Sequence, residues 1–388
     1  MTIWSRNFIC VMAANMMLCL AHFAVNPLVA SYATFLGADT RLTGFLAGMF
    51  FGVALAIRPV SGPLITKVDK RLLLIIVFAA GVVANLGYAL FPTIPLFVAF
   101  RFINGAQYSF VGSLIMTLAG DNLPREKMAS GMGVYGVGGA IGMAAAPTIG
   151  SALVSLSGYR ALFLYASAVL LLAIIPCCVL TPDKKTREET ASTGKWYRNI
   201  VTPRSVPVTC VSFFVILSYS LYNTYIIKTA ESRGVTGVSA FYLVLAAVLV
   251  VSRPLSGTLT DKFGIKRVTV PALVVLAASF LVVGSAKTLP GMLAGAVLAA
   301  LGYGATQPTL QAMCVQTVEP LRRGVASNTM YVGMDFGFFL GPFFGGLLID
   351  ALGYGRMFAL AAIPVAAALA ALLIILPGYL RRQKEVQR

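Results

Sequence analysis

The pentapeptide RPVSG occupies positions 58–62, and RPLSG occupies positions 253–257, so nearly the same five residues recur 195 positions apart in a chain of 388 residues. Both copies place an arginine and a proline inside otherwise apolar sequence. Further pairs at the same offset are Leu64 with Leu259, Lys67 with Lys262, Pro147 with Pro342, Gly150 with Gly345, Gly158 with Gly353, Tyr159 with Tyr354 and Phe163 with Phe358. The chain is therefore predicted to contain two copies of one structural unit.

The composition places those units in a membrane. The chain is 58% hydrophobic and 11% charged, whereas soluble domains are about 25% charged. Apolar stretches of about 20 residues can each cross a hydrocarbon core of roughly 30 Å as a helix. Twelve such stretches are predicted, at 7–35, 41–65, 71–91, 96–120, 129–156, 160–181, 206–228, 237–260, 267–286, 290–317, 324–349 and 354–379. The first is expected to be an uncleaved helix rather than a leader.

The twelve stretches divide into two six-helix bundles, predicted over 1–181 and 206–388. Between them, 182–205 is the long polar stretch of the chain, which predicts a cytoplasmic linker. All six cysteines lie in or at the ends of apolar stretches. That placement predicts neither a disulfide framework nor a metal site.

The net charge of +17 reflects orientation. With the amino terminus in the cytoplasm, 21 lysines and arginines fall on the cytoplasmic side and six on the outside. The positive-inside rule then predicts that both termini are cytoplasmic. Nucleic-acid binding is not needed to explain the charge. Short loops and the absence of an Asn-x-Ser/Thr sequon favour a bacterial cytoplasmic (inner) membrane.

The turn after the second helix of each half carries a recognisable motif. In the second half, GTLTDKFGIKR provides Gly257, Leu259, Asp261, Gly264, Lys266 and Arg267. In the first half, Gly62, Leu64, Lys70 and Arg71 keep the pattern, while Thr66 and Asp69 replace its acid and its glycine. These residues resemble the turn motif of the major facilitator superfamily. The resemblance implies an all-α membrane protein with twelve transmembrane helices in two pseudo-symmetric six-helix bundles.

Two further motifs sharpen the resemblance. Arg101 and Gly105 match the R-x-x-x-G of the family's fourth helix. The fifth helix is similar to the family's antiporter signature through Gly133, Gly142, Ala146, Pro147, Gly150 and Ser151, and the eleventh carries Gly337, Gly341, Pro342, Gly345 and Gly346. This similarity implies an exporter, especially of the twelve-helix drug/proton antiporter branch. Close helix packing alone would also select small residues.

Candidate proton-coupling residues are Asp335, Arg101 and His22. Asp335 is the acid predicted to lie deep in a helix, about 18 Å beyond Arg323 at 1.5 Å per residue. Desolvation there favours the neutral carboxyl, as a proton carrier requires. Capping a broken helix or pairing with a buried donor is the structural alternative for Asp335. Arg101 is either a coupling partner or part of a structural pair, and His22 is either a proton or substrate group or a packing residue.

Polar and aromatic residues recur at helical spacing on the four helices that line the central cavity in this family. The predicted cavity residues are Asn15, His22 and Asn26 on the first helix, Gln107 and Tyr108 on the fourth, Tyr219, Tyr222 and Asn223 on the seventh, and Tyr303, Gln307 and Gln311 on the tenth. They predict an amphipathic pocket, although each could instead fill an interface. The scarcity of fixed charge argues against a strongly anionic substrate unless Arg101 or Arg253 faces inward.

The remaining candidates are gating residues. Arg58 and Arg253 are equivalent in the repeat, and they either take part in gating or extend to the lipid headgroups. The other predicted gating positions are Gly62, Asp69, Arg71, Gly257, Asp261, Gly264, Arg267, Gly142, Pro147, Gly150, Gly341 and Pro342.

The favoured function is proton-coupled antiport that exports a small amphipathic organic compound by alternating access. A metabolite importer or facilitator of the same fold is the alternative, and a lipid flippase or a non-transporting sensor represents a different class. An enzyme is not predicted, because the sequence has no phosphate-binding Gly-Lys-Ser/Thr loop and no nucleophile elbow. Expected partners are a small-molecule substrate, protons and the lipid bilayer. No cofactor, metal or nucleic acid is expected, and the protein is expected to be a monomer.

Overall fold

The computed structural model describes residues 3–181 and 200–387, so most of the predicted linker lies outside the described residues. The described parts of the chain are helical and contain no β-strand, and the predicted all-α fold is confirmed. The helices are α1 Arg6–Val25, α2 Val29–Phe35, α3 Thr40–Lys67, α4 Lys70–Leu90, α5 Ile94–Asp121, α6 Met128–Val179, α7 Val206–Glu231, α8 Ala240–Phe263, α9 Ile265–Ser285, α10 Leu289–Gln316, α11 Arg323–Leu360 and α12 Ala362–Gln387.

Nine helical stretches of the described chain are long and apolar enough to cross a membrane. Two of them, Arg125–Val179 and Pro320–Leu380, each contain two of the predicted segments. Helix α5 is not among the nine, although it runs for 28 residues. It carries Arg101, Asn104 and Gln107, and this polar content gives the first structural sign that α5 contributes to a site.

Two glycines at equivalent positions of the repeat produce sharp kinks. Gly158 has φ 79° within α6, and Gly353 has φ 78° within α11. This left-handed backbone is disfavoured for residues with a Cβ atom. The predicted segments end on either side of these glycines, and the structure agrees, since the backbone leaves the helical conformation at each glycine between two helical segments.

The turns between the second and third helices of the two halves are built differently. In the first half, Asp69 caps α4 by accepting a 2.8 Å hydrogen bond from the backbone N–H of Leu72. In the second half, Gly264 adopts φ 86° and ends α8. An acidic N-cap and a left-handed glycine are alternative ways to reverse the chain. Asp69, which departs from the family motif, is thus the helix cap of its turn.

The chain forms two compact units. Unit 1 consists of Met1–Pro124, Val137–Val201 and Leu321–Asn328, and unit 2 consists of Arg125–Gly136, Thr202–Pro320 and Thr329–Arg388. In unit 1, α5 packs against α1, α3 and α4; in unit 2, α10 packs against α7, α8 and α9, and α12 packs against α7 and α9. Each unit is mostly one sequence repeat plus the start of the fifth helix of the other repeat.

Candidate transport site

A cavity in unit 1 brings several predicted residues together. It is small, with room for about one or two water molecules, and part of it is open to solvent. The lining residues are Leu18, Ala21, His22, Val25, Asn26, Asn85, Arg101, Asn104, Gln107 and Leu170. No carboxylate lines this cavity among the residues that the structure describes. The cavity therefore combines one guanidinium with amides, an imidazole and aliphatic groups.

Arg101 lies at the centre of this polar group and is only 1% exposed. Its Nη2 donates a 2.9 Å hydrogen bond to Asn26 Oδ1, and its Nε donates a weaker one of 3.3 Å to the Leu46 carbonyl. The guanidinium carbon lies 4.8 Å from the centre of the Phe50 ring, within cation–π range. Neutral acceptors and an aromatic face thus hold the buried arginine in a fixed orientation.

His22 is packed in an aromatic cluster beside the same cavity. Its ring stacks on Tyr108 with centroids 5.1 Å apart and an interplanar angle of 13°, and its centroid lies 5.0 Å from that of Phe50. Helix α1 therefore contributes His22 and Asn26 to the cavity. Asn15, also predicted for this cavity, is buried elsewhere on α1, where its Nδ2 faces Gly138.

Six lining residues were not predicted: the polar Asn85 and Asn104 and the apolar Leu18, Ala21, Val25 and Leu170. Asn104 lies three positions after Arg101 and three before Gln107, so the helical period of α5 could have revealed it. Asn85 is an isolated polar residue in α4, 3% exposed, and its side-chain nitrogen donates to the Gly81 carbonyl at 2.8 Å. Leu170 on α6 is an ordinary apolar residue, and nothing in the sequence marks it.

Unit 2 holds a second group of predicted residues. The rings of Tyr219 and Tyr303 stack with centroids 3.8 Å apart, and the guanidinium carbon of Arg253 lies 5.7 Å from the centre of the Tyr303 ring. Tyr222, in contrast, lies in the core of this unit. It stacks on Phe280 at 4.5 Å, and its hydroxyl hydrogen-bonds with the Ser279 hydroxyl at 2.8 Å.

The other predicted residues of unit 2 differ in exposure. Gln307 and Gln311 are 3% and 7% exposed, and Gln307 Nε2 lies 3.4 Å from the Met334 sulfur. Asn223 is exposed. Asp335 is 2% exposed and is the only acidic residue buried to this degree in the described parts of the chain.

Each pentapeptide contacts the start of the other repeat's fifth helix. In unit 1, Arg58 is 1% exposed, and its Nη1 donates a 2.6 Å hydrogen bond to the Ser109 carbonyl. Asn328, from the start of α11, donates to the Arg58 carbonyl at 2.9 Å and accepts from the Ser61 hydroxyl at 2.8 Å. The structure thus places Arg58 in a buried network rather than at a lipid headgroup.

The second pentapeptide makes the equivalent contact in unit 2. Arg253 donates a short hydrogen bond to the Gly136 carbonyl, and Gly257 lies directly against the backbone of Ala129 and Ser130. Close by, the Asp261 carboxylate accepts from the backbone N–H groups of Ala129 and Ser130 at 3.1 and 2.8 Å. A carboxylate at a helix N-terminus is stabilised by unsatisfied N–H groups and by the helix dipole.

The first copy of the turn motif lacks an acid equivalent to Asp261, and its polar residues make other contacts. Thr66 donates to the carbonyl of Pro63 at 2.7 Å, within its own helix. Asp121, at the end of α5, instead pairs with Lys70 at 2.5 Å and with Arg323 at 3.2 Å. A side-chain ion cluster thus occupies the turn where the motif acid is missing. Asp121 and Arg323 were not predicted, since their pairing joins residues 202 positions apart.

The predicted small residues of the fifth and eleventh helices lie at close helix contacts. A methyl group added at Gly142 or Gly150 of α6 would lie 2.5 Å from Cys19 Cβ or from the Ala24 carbonyl oxygen of α1. In unit 2, Gly341 packs equally closely against α7. These contacts favour the close-packing interpretation of both stretches.

The remaining predicted gating residues are spread over their helices. Pro147 is half-buried in α6, and the Pro342 carbonyl accepts from the Tyr225 hydroxyl at 2.7 Å. Arg71 donates to the Cys178 carbonyl at 2.5 Å. Gly62 is buried, whereas Arg267 is exposed.

Two repeats built from apolar helices, with polar residues buried among them, are the architecture expected of a membrane transporter. The family model of the Major Facilitator Superfamily matches residues 11–282 and 208–388. This chain belongs to the Major Facilitator Superfamily, so the resemblance seen in the sequence is confirmed.

Curated relatives include proteins named for drug efflux. The chain is 24% identical over 351 residues to the multi-drug resistance efflux pump PmrA of Streptococcus pneumoniae, covering 86% of this chain and 87% of that protein. It is 29% identical over 171 residues to the putative multidrug resistance protein MdtD of Klebsiella pneumoniae, covering 43% of this chain and 36% of that one.

Solved structures support the fold. The human organic anion transporter MFSD10 superimposes with a TM-score of 0.78 at 15% identity, covering 95% of this chain and 99% of that one. The Escherichia coli fucose:proton symporter FucP superimposes with a TM-score of 0.77 at 14% identity, covering 95% and 98%. At such identities the likeness concerns the fold alone.

Proposed function

We propose that this transporter is a proton-coupled antiporter that exports a small amphipathic organic compound by alternating access. The observation that carries the proposal is Asp335, an acid 2% exposed within a membrane-spanning stretch of α11. Keeping a carboxylate ionised in such surroundings is costly, so whether Asp335 holds a proton depends on how exposed its side chain is. A conformational change that alters the exposure of Asp335 would then drive proton exchange.

Similarity to PmrA supports the direction of transport. That relative is named as an efflux pump, and the match extends over 86% of this chain. The aromatic and amide groups of Tyr219, Tyr303 and Gln307 support an amphipathic substrate, because they offer both apolar surface and neutral hydrogen-bonding groups. Arg101 and His22 remain candidates for coupling on the side of unit 1.

Alternating access also requires contacts that form and break. We assign this role to the pentapeptide contacts, in which Arg58 meets Asn328 and Arg253 meets Gly136. Each contact joins a helix of one repeat to the fifth helix of the other. If these hydrogen bonds form in one state and break in the other, they contribute to the free-energy difference between the two states.

Proton flux in proteoliposomes tests this function. Vesicles with a preset pH gradient are challenged with ethidium (cationic), chloramphenicol (neutral) and mandelate (anionic), and internal pH is recorded. Wild type is compared with Asp335→Asn and with Asp350→Asn, which changes an exposed acid near the end of the same membrane-spanning stretch. The proposal predicts compound-triggered flux in wild type and Asp350→Asn and loss of that flux in Asp335→Asn.

Other outcomes decide between the alternatives. Proton flux that survives in Asp335→Asn would assign the proton-binding role to His22 or to another residue. Equilibration of labelled compound without any proton flux overturns antiport and favours a facilitator. Uptake against a gradient in the direction of proton entry favours an importer.

The proposed location is a bacterial cytoplasmic membrane with both termini inside, supported by the bias of 21 to six in basic residues. A reporter that is active only in the cytoplasm, fused in turn to each terminus, should be active in both fusions. Activity at one terminus alone would contradict an even number of membrane crossings.

A further inference from the structure

Helix α10 carries a proline in its interior, and this proline frees one backbone carbonyl. Pro308 is buried inside α10, well beyond the first turn of the helix. Because proline has no backbone N–H, the Gly304 carbonyl receives no hydrogen bond from position 308, and the helix is weakened there. Pro308 also separates Tyr303 from Gln311, so it divides the predicted cavity residues of α10 between two segments.

The second pentapeptide supplies a donor for this carbonyl. The two helices approach closely here, since a methyl group added at Gly304 would overlap the Ser252 hydroxyl of α8. The Ser256 hydroxyl donates to the Gly304 carbonyl at 3.2 Å and also to the Arg253 carbonyl of its own helix at 3.1 Å. A hydroxyl has one proton, so these acceptors share it, and both distances are long for a hydroxyl donor. Ser256 can therefore release the Gly304 carbonyl and still keep a hydrogen bond within α8.

The equivalent position in the first repeat is built differently. Ser113 stands where the second repeat has Pro308, and it has a backbone N–H. The Ser109 carbonyl, equivalent to that of Gly304, also accepts the 2.6 Å hydrogen bond from Arg58. A hydrogen bond from a charged donor is the stronger kind, so α5 is held firmly where α10 is held loosely.

Two polar atoms beside Pro308 are unsatisfied in this conformation. Thr306 Oγ1 and Gln307 Oε1 are buried, and neither has a hydrogen-bond partner among the described residues. Buried polar groups without partners cost free energy and are rare in native proteins. Both atoms belong to the two residues directly before the proline. A bend at Pro308 would reorient these side chains, and so could supply the partners that they lack here.

We propose that Pro308 is a hinge of α10 and that Ser256 is its reversible clasp. In this structure the Ser256 hydroxyl bridges to the Gly304 carbonyl, and when α10 bends the hydroxyl turns back to its own helix. The bend changes the separation of Tyr303 and Gln311, and with it the surface that they offer to a transported compound. This device goes beyond the proposed function, because it does not depend on the direction of transport or on protons.

Hydrogen–deuterium exchange of the full-length protein in detergent tests the hinge. Exchange of the amides of residues 305–312 reports local opening of α10 around the proline. Pro308→Ser, which copies the residue of the first repeat, should slow this exchange at least about tenfold, because it restores a backbone hydrogen bond inside the helix. Pro290→Ala should leave the exchange unchanged, since this exposed proline lies in the first turn, where no helical hydrogen bond is missing.

The clasp is tested by combining substitutions. Ser256→Ala alone should speed the exchange about two- to tenfold, because the Gly304 carbonyl loses its donor. In a Pro308→Ser background the same substitution should change the exchange less than about twofold, because the carbonyl then has a backbone donor. Equal exchange in wild type and Pro308→Ser would overturn the hinge. An undiminished effect of Ser256→Ala in the Pro308→Ser background would overturn the clasp.

Transport separates a hinge from a proline that is only structural. Compound-triggered proton flux is measured with whichever of ethidium, chloramphenicol and mandelate drives it. Pro308→Ser should lower the maximal flux about tenfold and leave the half-saturating concentration within about twofold, because a stiffer helix slows the conformational change and not the binding. Equal maximal flux in wild type and Pro308→Ser supports antiport and overturns the hinge. Exchange that depends on Pro308 and Ser256, in a protein without any proton flux, supports the hinge and overturns antiport.

Discussion

Substituting Gly257 by alanine should destabilise unit 2 through one close helix contact. The added methyl group would overlap the Ala129 carbonyl oxygen, and it would lie 2.7 Å from Ser130 Cα and 2.8 Å from the Ala129 carbonyl carbon. Non-bonded carbons prefer separations of about 3.5–4.0 Å. All three atoms belong to the backbone, so no side chain can rotate away, and α8 and the start of α6 must separate by about 1 Å.

The size of the effect has two parts. Overpacking of a close contact costs about 1–3 kcal/mol. The separation also lengthens the two hydrogen bonds that Asp261 accepts at 2.8 and 3.1 Å. Because this carboxylate is exposed, their loss adds only about 1 kcal/mol. The sum of about 2–4 kcal/mol corresponds to a fall in the unfolding midpoint of about 4–16 °C for a unit of this size.

Thermal unfolding of the purified protein in detergent measures this fall. The matched control is Gly52→Ala, an exchange within α3 at a site with nothing within 4 Å of the added methyl group. Its midpoint should stay the same or rise slightly. In an Asp261→Ala background, Gly257→Ala should cost less than it does alone, because the shared contact is already weakened. A Gly257→Ala midpoint equal to that of Gly52→Ala would refute this account of the contact.

Three further substitutions probe buried polar groups, with thermal unfolding as the common measurement. Asn328→Ala should lower stability by about 1–3 kcal/mol, since it strips partners from a buried carbonyl and a buried hydroxyl; an unchanged midpoint would place this network outside the folded core. Asp121→Asn should cost up to about 3 kcal/mol, because Lys70 and Arg323 lose their shared counter-charge, and high salt should reduce the difference from wild type. Tyr222→Phe should cost about 0.5–1.5 kcal/mol and leave compound-triggered proton flux unchanged, whereas loss of flux without loss of stability would assign this tyrosine to a transport site instead of the core.

Local sequence was sufficient for the helices and for the breaks between them at Gly158 and Gly353. Each membrane-spanning segment must satisfy its backbone hydrogen bonds internally, so a long apolar stretch is predicted to be helical. Gly158 and Gly353 could be placed between segments because left-handed backbone selects glycine. The repeat at an offset of 195 positions pairs Gly158 with Gly353 and the two pentapeptides with each other, and the structure gives both glycines the same left-handed backbone.

The candidate site could be predicted only in part. Helical periodicity placed His22, Asn26 and Gln107 on faces that could line a cavity, and the structure brings all three to the cavity of Arg101. It could not separate Tyr222, which packs in the core of unit 2, from Tyr219 three positions earlier. Neighbouring faces of one helix differ in what packs against them, and that information is not local.

The sequence by itself determined that this chain is a membrane protein of two six-helix repeats, because hydropathy, glycine positions and internal similarity are properties of the chain alone. Only the tertiary structure decided which partners the polar residues meet. Asn328 contacts the pentapeptide of the other repeat, Asp121 binds Arg323, and Arg101 donates to Asn26. The period of a helix fixes the direction of a side chain, whereas the packing of distant helices fixes what lies in that direction.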